Sequence, residues 1–202
     1  MIVFHKVRWK NFLSTGDVYT EIELDRNDAT LIVGHNGSGK STLLDALTFG
    51  LFGRPFRKIN KPQLVNSVNG SGLVVEVDFT IGKKTYMVRR GIKPNFFEIL
   101  VDGVLLNQDA KMKDYQEKLE SILKLNYKSF TQIIVLGSSS FQPFMQLPLS
   151  HRREIIEDLL GIQIFSAMNV LLKEKVAENK SMLTQNKTKI DLNREKKSML
   201  DQ

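Results

Sequence analysis

The stretch Gly34-His35-Asn36-Gly37-Ser38-Gly39-Lys40-Ser41 fits the pattern G-x-x-x-x-G-K-[ST], and no other part of the chain restricts the possible folds as much. The pattern demands a strand before it and a helix after it. Leu31-Ile32-Val33 is a short apolar run rich in β-branched residues, which predicts a buried strand. From Thr42 to Phe52, apolar residues at Leu43, Leu44, Ala46, Leu47 and Leu51 follow helical spacing. A strand, a glycine loop and a helix N-terminus together make an anion site, because backbone N–H groups converge there and the helix dipole favours negative charge. The glycines are needed where a Cβ would block close approach or a positive φ. Asn36, Gly37, Ser38, Gly39, Lys40, Ser41 and Thr42 are therefore the candidate nucleotide-binding residues. In such a loop the lysine, Lys40, reaches the β- and γ-phosphates, and the hydroxyl of Ser41 ligates Mg²⁺.

The 202 residues suffice for one domain with a core plus an appendage. No apolar run approaches the roughly 18 residues of a membrane helix. The N-terminal Met1-Ile2-Val3-Phe4-His5-Lys6-Val7 alternates like a strand and lacks a signal-peptide layout. The absence of cysteine excludes disulfides and cysteine-ligated zinc and suits a reducing cytoplasm. His5, His35 and His151 have no metal-ligand spacing. The net charge of +7 favours polyanionic partners, although many basic proteins only carry a solvated lysine surface.

Residues 1–160 read as globular. Strands are predicted over Ile2–Trp9, Glu21–Leu24, Gly72–Ile81, Thr85–Arg90, Phe96–Val101 and Val104–Leu106, with turns at Gly82-Lys83-Lys84 and Asp102-Gly103. Asp109–Leu125 has a helical apolar face, Phe130–Leu136 reads as a helix end passing into a strand, and Ser150 as the N-cap of a further helix. Residues 161–202 differ. Val176, Leu183 and Ile190 lie seven apart, and Leu172, Asn179, Asn186, Asn193 and Leu200 fill the other seam of the same heptad frame. This predicts the start of a coiled-coil helix, with a single solvated helix or tail as the alternative. The chain stops inside this helix without a cap, which predicts a longer protein.

A phosphate loop near the start and a heptad helix far downstream, taken with particular segments, resemble the N-terminal half of an SMC-like ATPase. The segments are Lys10-Asn11-Phe12, the phosphate loop through Leu43-Leu44-Asp45-Ala46, Leu51 to Arg57, Val135-Leu136-Gly137, Pro143-Phe144-Met145 and Arg152 to Leu160. They are most similar to the ATPase subunit of the recombination nuclease, the SbcC and Rad-fifty family, and within it to the T-even-type phage branch. The resemblance implies an α/β fold: the N-terminal lobe of an ABC-type ATPase head, with a mixed β-sheet and antiparallel hairpins, leading into a coiled coil. It implies ATP and Mg²⁺ as cofactors. It also implies a C-terminal half of the same protein carrying the signature and Walker B motifs, and a second copy forming a head dimer around ATP. A metallophosphoesterase nuclease subunit of the SbcD type would cut double-stranded DNA ends, in the host cytoplasm if the source is a phage. Arg57 and Lys58 would border the nucleotide. Leu13 stands where relatives often carry a nucleotide-holding arginine. The glutamine that contacts Mg²⁺ and the attacking water maps onto Gln142, with Ser139 as rival.

Lys83, Lys84, Arg89 and Arg90 cluster on the predicted hairpin and are candidate DNA-backbone contacts, or else a solvated strand edge. Ile164, Phe165, Met168 and Leu172 belong to a segment more apolar than one coiled-coil seam requires, so they are candidates for covering by the nuclease subunit or by the head itself. An architectural DNA-tethering ATPase of SMC or RecN type is the alternative function. A P-loop kinase is disfavoured by the heptad tail.

Overall fold

The computed structural model describes residues 2–106, 112–135 and 144–200. The chain divides into two compact units, Met1–Ile155 and Ile156–Gln202. The first is built on six antiparallel strands: β1 (Ile2–Lys10), β2 (Thr20–Glu23), β3 (Leu73–Ile81), β4 (Lys84–Ile92), β5 (Phe96–Val101) and β6 (Val104–Leu105), in the spatial order β2-β1-β3-β4-β5-β6. Helix α1 (Thr42–Phe52) intervenes between β2 and β3, and α2 (Met112–Leu123) and α3 (Tyr127–Ile133) follow β6. Helix α4 (Leu149–Leu160) spans the division, and α5 (Gln163–Leu200) makes up most of the second unit.

The strand period of two sorts the sheet into two unlike faces. On one face Val7 pairs across to Val77, Val88 and Ile99, and all four are fully buried. Beside them Trp9, Val75, Arg90 and Phe97 form the next cross-strand row. Helix α1 packs on this face over β1, β3 and β4. Gly50 permits the close approach: a Cβ there would lie 2.7 Å from Val77 Cγ2 and 3.1 Å from Val75 Cγ1. On the opposite face Glu21, Arg8, Glu76, Arg89 and Glu98 stand in one row across five strands, with alternating charge. Glu76 is buried between two arginines. It accepts from Arg8 Nε, and from Arg89 Nε at 2.9 Å, while Arg89 Nη1 reaches Glu98 Oε2 at 2.7 Å. Opposite charges directly across a sheet stabilise the register by a few tenths of a kcal/mol to about 1 kcal/mol per pair.

The six predicted strands and both hairpin turns are present, within two residues at each end. The strand expected at Leu31-Ile32-Val33 is not. These residues have no strand partner and are 87%, 42% and 80% exposed. Their composition signals burial, but a strand exists only as a pair, and no segment among the described residues pairs with them. Helix α3 also corrects the expectation for 130–136. Asn126 caps it, accepting from Ser129 N at 2.9 Å, and the helix runs to Ile133 with no strand through Val135. Leu136 lies outside the described residues, as do 107–111, where α2 was expected to begin. Ser150 is inside the first turn of α4 rather than its cap, since Pro148 O accepts the first helical bond, from Arg152 N at 3.0 Å.

Helix α5 is continuous for 38 residues, roughly 57 Å at 1.5 Å per residue. Its seam residues Val176, Leu183 and Ile190 are all exposed. No single helix among the described residues is long and apolar enough to cross a membrane.

Candidate nucleotide-binding site

Residues 34–41 form an exposed loop that delivers the chain into α1. Gly37 and Gly39 have φ of 86° and 92°, values that side chains with a Cβ avoid, so these two glycines are required by the turn itself. Thr42 N donates to Gly39 O at 2.9 Å, closing the first turn. The Lys40 ammonium folds over the loop and donates to Gly34 O at 2.6 Å and His35 O at 2.9 Å. Its charge thus sits beside the N-terminus of α1. Ser41 is the N-cap residue, yet its hydroxyl makes no capping hydrogen bond, so it is available as a metal ligand.

A cleft of about 410 Å³ opens over this loop. Its walls are Asn36, Gly37, Gly39, Lys40, Ser41 and Thr42 on one side, and Leu13, Ser14, Arg57 and Ile59 on the other. Two local constructions bring the second wall in. The first is the 11–16 turn. Leu13 lies at φ 55°, an outlier for a branched apolar residue, and is over-determined by its neighbours. Its N–H donates to Leu64 O at 2.7 Å, and its carbonyl accepts from Asn66 Nδ2 at 3.1 Å. Asn66 also binds Thr15 O at 3.0 Å and is itself buried. The second is the loop after α1, where Asp45 accepts from both the backbone and the side chain of Arg57. Tyr127 hydroxyl donates to Pro55 O at 2.8 Å in the same loop. Burial pushes the Tyr127 phenol above its ordinary value, and nearby Arg54 partly opposes this.

The structure thus brings Asn36, Gly37, Gly39, Lys40, Ser41, Thr42 and Arg57 to one cleft, while Ser38 is not among its walls. Lys58 is exposed and is not among the cleft walls. Gln142 and Ser139 lie outside the described residues. The four basic hairpin residues do not form one patch, which corrects that expectation. Lys83 and Lys84 are exposed at the turn. Arg89 is tied to Glu76 and Glu98 on the charged face. Arg90 points to the other face, into the helix layer, where Nε donates to Gly50 O at 3.1 Å and Nη2 to Gln116 Oε1 at 2.7 Å. Its burial lowers the guanidinium to about 9, with Glu120 opposing the fall, so it remains charged at neutral pH. Adjacent strand residues face opposite ways, so a run of basic residues in sequence is split between faces. On α5, Ile164, Phe165, Met168 and Leu172 are 57–65% exposed.

Sequence reasoning did not single out Asp45, Ser14, Ile59 or Asn66 as site residues. Asp45 left one signal: it is the single charged residue in an otherwise apolar helix, and such a residue is buried only when paired. Asn66 left no signal of its role here: its Oδ1 accepts from Val68 N and Asn69 N in a local turn, but the contacts that hold the cleft wall, from Nδ2 to Leu13 O and Thr15 O, reach a turn some fifty residues away.

Residues 6–202 match the family profile described as an AAA domain. The chain is 45% identical over 174 residues to exonuclease subunit 2 of Escherichia phage RB69, covering 86% of this chain and 31% of that protein. It is 29% identical over 182 residues to the DNA double-strand break repair Rad50 ATPase of Thermoplasma acidophilum, covering 87% of this chain and 20% of that protein. The chain therefore spans less than a third of the length of these curated relatives. Its fold is shared with the Smc head domain of Pyrococcus furiosus, solved with an extended coiled coil and bound to the C-terminal domain of ScpA. That likeness has a TM-score of 0.56 at 23% identity and covers 95% of this chain and 49% of that one.

Proposed function

This chain belongs to the AAA domain family, and from that premise we propose that it is the N-terminal, nucleotide-binding lobe of the ATPase subunit of a nuclease complex that processes DNA double-strand breaks. One observation carries the reading: the glycine loop, Lys40, Ser41 and Arg57 meet in a single cleft at the N-terminus of a buried helix. The likeness to a phage exonuclease subunit and to a double-strand break repair ATPase supports the choice of process.

In this reading the cleft holds Mg-ATP, and Mg²⁺ supplies charge neutralisation at the phosphates. Lys40 holds the β- and γ-phosphate oxygens, backbone N–H groups of the loop donate to the remaining phosphate oxygens, and Ser41 offers its hydroxyl to the metal. Gln142, with Ser139 as rival, orients water. The exposed run Leu31–Val33 supports a missing partner strand, supplied by the C-terminal half of the same protein. A second copy closes the cleft. Lys83 and Lys84 touch the DNA backbone, and the exposed start of α5 docks the nuclease subunit through Phe165 and its neighbours.

The test uses the full-length protein. Lys40→Met should abolish ATP turnover, and wild-type turnover in that variant would overturn the reading. Co-purification of a metallophosphoesterase subunit with the wild type separates a nuclease ATPase from an architectural DNA tether, which would bring none. Charge substitutions at Ile164, Phe165, Met168 and Leu172 should include one that keeps ATP binding yet releases that subunit.

A further inference from the structure

Asp45 is fully buried, and both oxygens of its carboxylate are engaged by one residue, Arg57, twelve positions further on. Oδ1 accepts the backbone N–H of Arg57 at 2.9 Å. Oδ2 accepts from Nε at 2.7 Å, and Nη2 lies 2.5 Å from the same oxygen as an ion pair. One carboxylate therefore sets both the backbone and the guanidinium plane of Arg57. The guanidinium is 45% exposed and forms part of the cleft wall facing Lys40 and Ser41. Side-on engagement through Nε and Nη2 leaves the two N–H donors of Nη1 for a second acceptor, in a plane already fixed. Most of the rotamer freedom that an arginine loses on gripping an anion is removed before the anion arrives. The arrangement also cancels the repulsion that a lone carboxylate near the loop would exert on phosphate.

We infer that Asp45 is a positioning residue, which holds Arg57 in the orientation that contacts the nucleotide phosphates opposite Lys40. This rests on the reading of Arg57 as a nucleotide contact. The competing role is a staple that merely ties the 53–60 loop to α1, with no consequence for ligand affinity.

A double-mutant cycle on equilibrium Mg-ATP binding by the full-length protein distinguishes them. Asp45→Asn keeps the size and an acceptor for the Arg57 N–H but offers an amide to the guanidinium. Arg57→Ala and Asp45→Asn should each weaken Mg-ATP binding about tenfold, the scale of one charge-assisted hydrogen bond. The double variant should be no weaker than Arg57→Ala alone. If Asp45→Asn lowers only the melting temperature, or weakens binding equally with and without Arg57, Asp45 is a staple and the inference fails. If Asp45→Asn does not fold, Arg57→Lys takes its place: it keeps the charge and loses the Nε/Nη2 pair, so it should weaken binding by a similar factor. Wild-type affinity in Arg57→Lys overturns the inference. Should Arg57→Ala bind Mg-ATP normally while Lys40→Met does not, the role of Arg57 itself is wrong, and that result is distinct from a failure at Asp45 alone.

Discussion

The guanidinium carbon of Arg90 lies 3.6 Å from the centre of the Phe97 ring, directly across the β4–β5 pairing. The same cation donates to Gly50 O at the C-terminal end of α1 and to Gln116 on α2. A single side chain thus joins the sheet to two helices, and it uses the negative end of the α1 dipole to do so. Arg90→Met keeps much of the stem but leaves the Gly50 carbonyl without its donor. We expect a loss of about 2–4 kcal/mol in denaturant-induced unfolding, from the lost hydrogen bonds and the stacking together. DNA affinity should be unchanged in the variant fraction that remains folded. A surface role for Arg90 would give the reverse pattern.

Gly50 and Val77 set the distance between α1 and β3. Gly50→Ala places a methyl 2.7 Å from Val77 Cγ2, so the helix must lift or the valine must shift, and overpacking of this kind costs about 1–3 kcal/mol. Adding Val77→Ala should recover part of that loss despite removing buried carbon. If the double variant melts no higher than Gly50→Ala alone, the helix is not held at this contact.

Asp78 predicts a pH dependence. Burial pushes its carboxyl above the ordinary aspartate value, while Arg8 and Lys6 partly oppose and Glu76 and Glu21 add to the rise. No donor among the described residues reaches its buried Oδ1. A carboxyl with a raised folded value costs stability when ionised. That cost is fully present above the folded value, and it disappears below the unfolded value near 3.8. Asp78→Asn should therefore raise the melting temperature at pH 7, with the gain shrinking as the pH falls toward 3.5. A gain independent of pH, or none at pH 7, would contradict the burial argument.

Lys83 and Lys84 supply the two exposed cations of the β3–β4 turn. If they contact DNA phosphates, replacing both by glutamine should weaken binding on all sequences and reduce the salt slope of log K by about 2. An unchanged slope would leave them as solvated edge charges. Arg89 is unsuited to the same experiment, because its removal strips one of the two arginines from the buried Glu76 and would destabilise the sheet.

Sequence alone determined the elements whose causes are local. The hairpin at Asp102-Gly103, the apolar repeat of α1, and the glycines at 37 and 39 each act within a few residues. Their spacing dictates a backbone hydrogen-bond pattern whatever surrounds it. The long helix α5 was legible for the same reason. What only the tertiary structure decided is where polar groups and unpaired apolar runs end up. Arg89 and Arg90 are neighbours in sequence, yet one joins a charged row on one face and the other enters the core, and which face is buried depends on where α1 packs. Leu31–Val33 has the composition of a buried strand, but burial needs a neighbour from elsewhere. Asp45 and Arg57 meet because the chain turns back after α1 under the hold of Tyr127 on Pro55. Local spacing governs bonds between residues a few positions apart. Burial, pairing and charge compensation depend on surfaces that are adjacent only once the elements have packed.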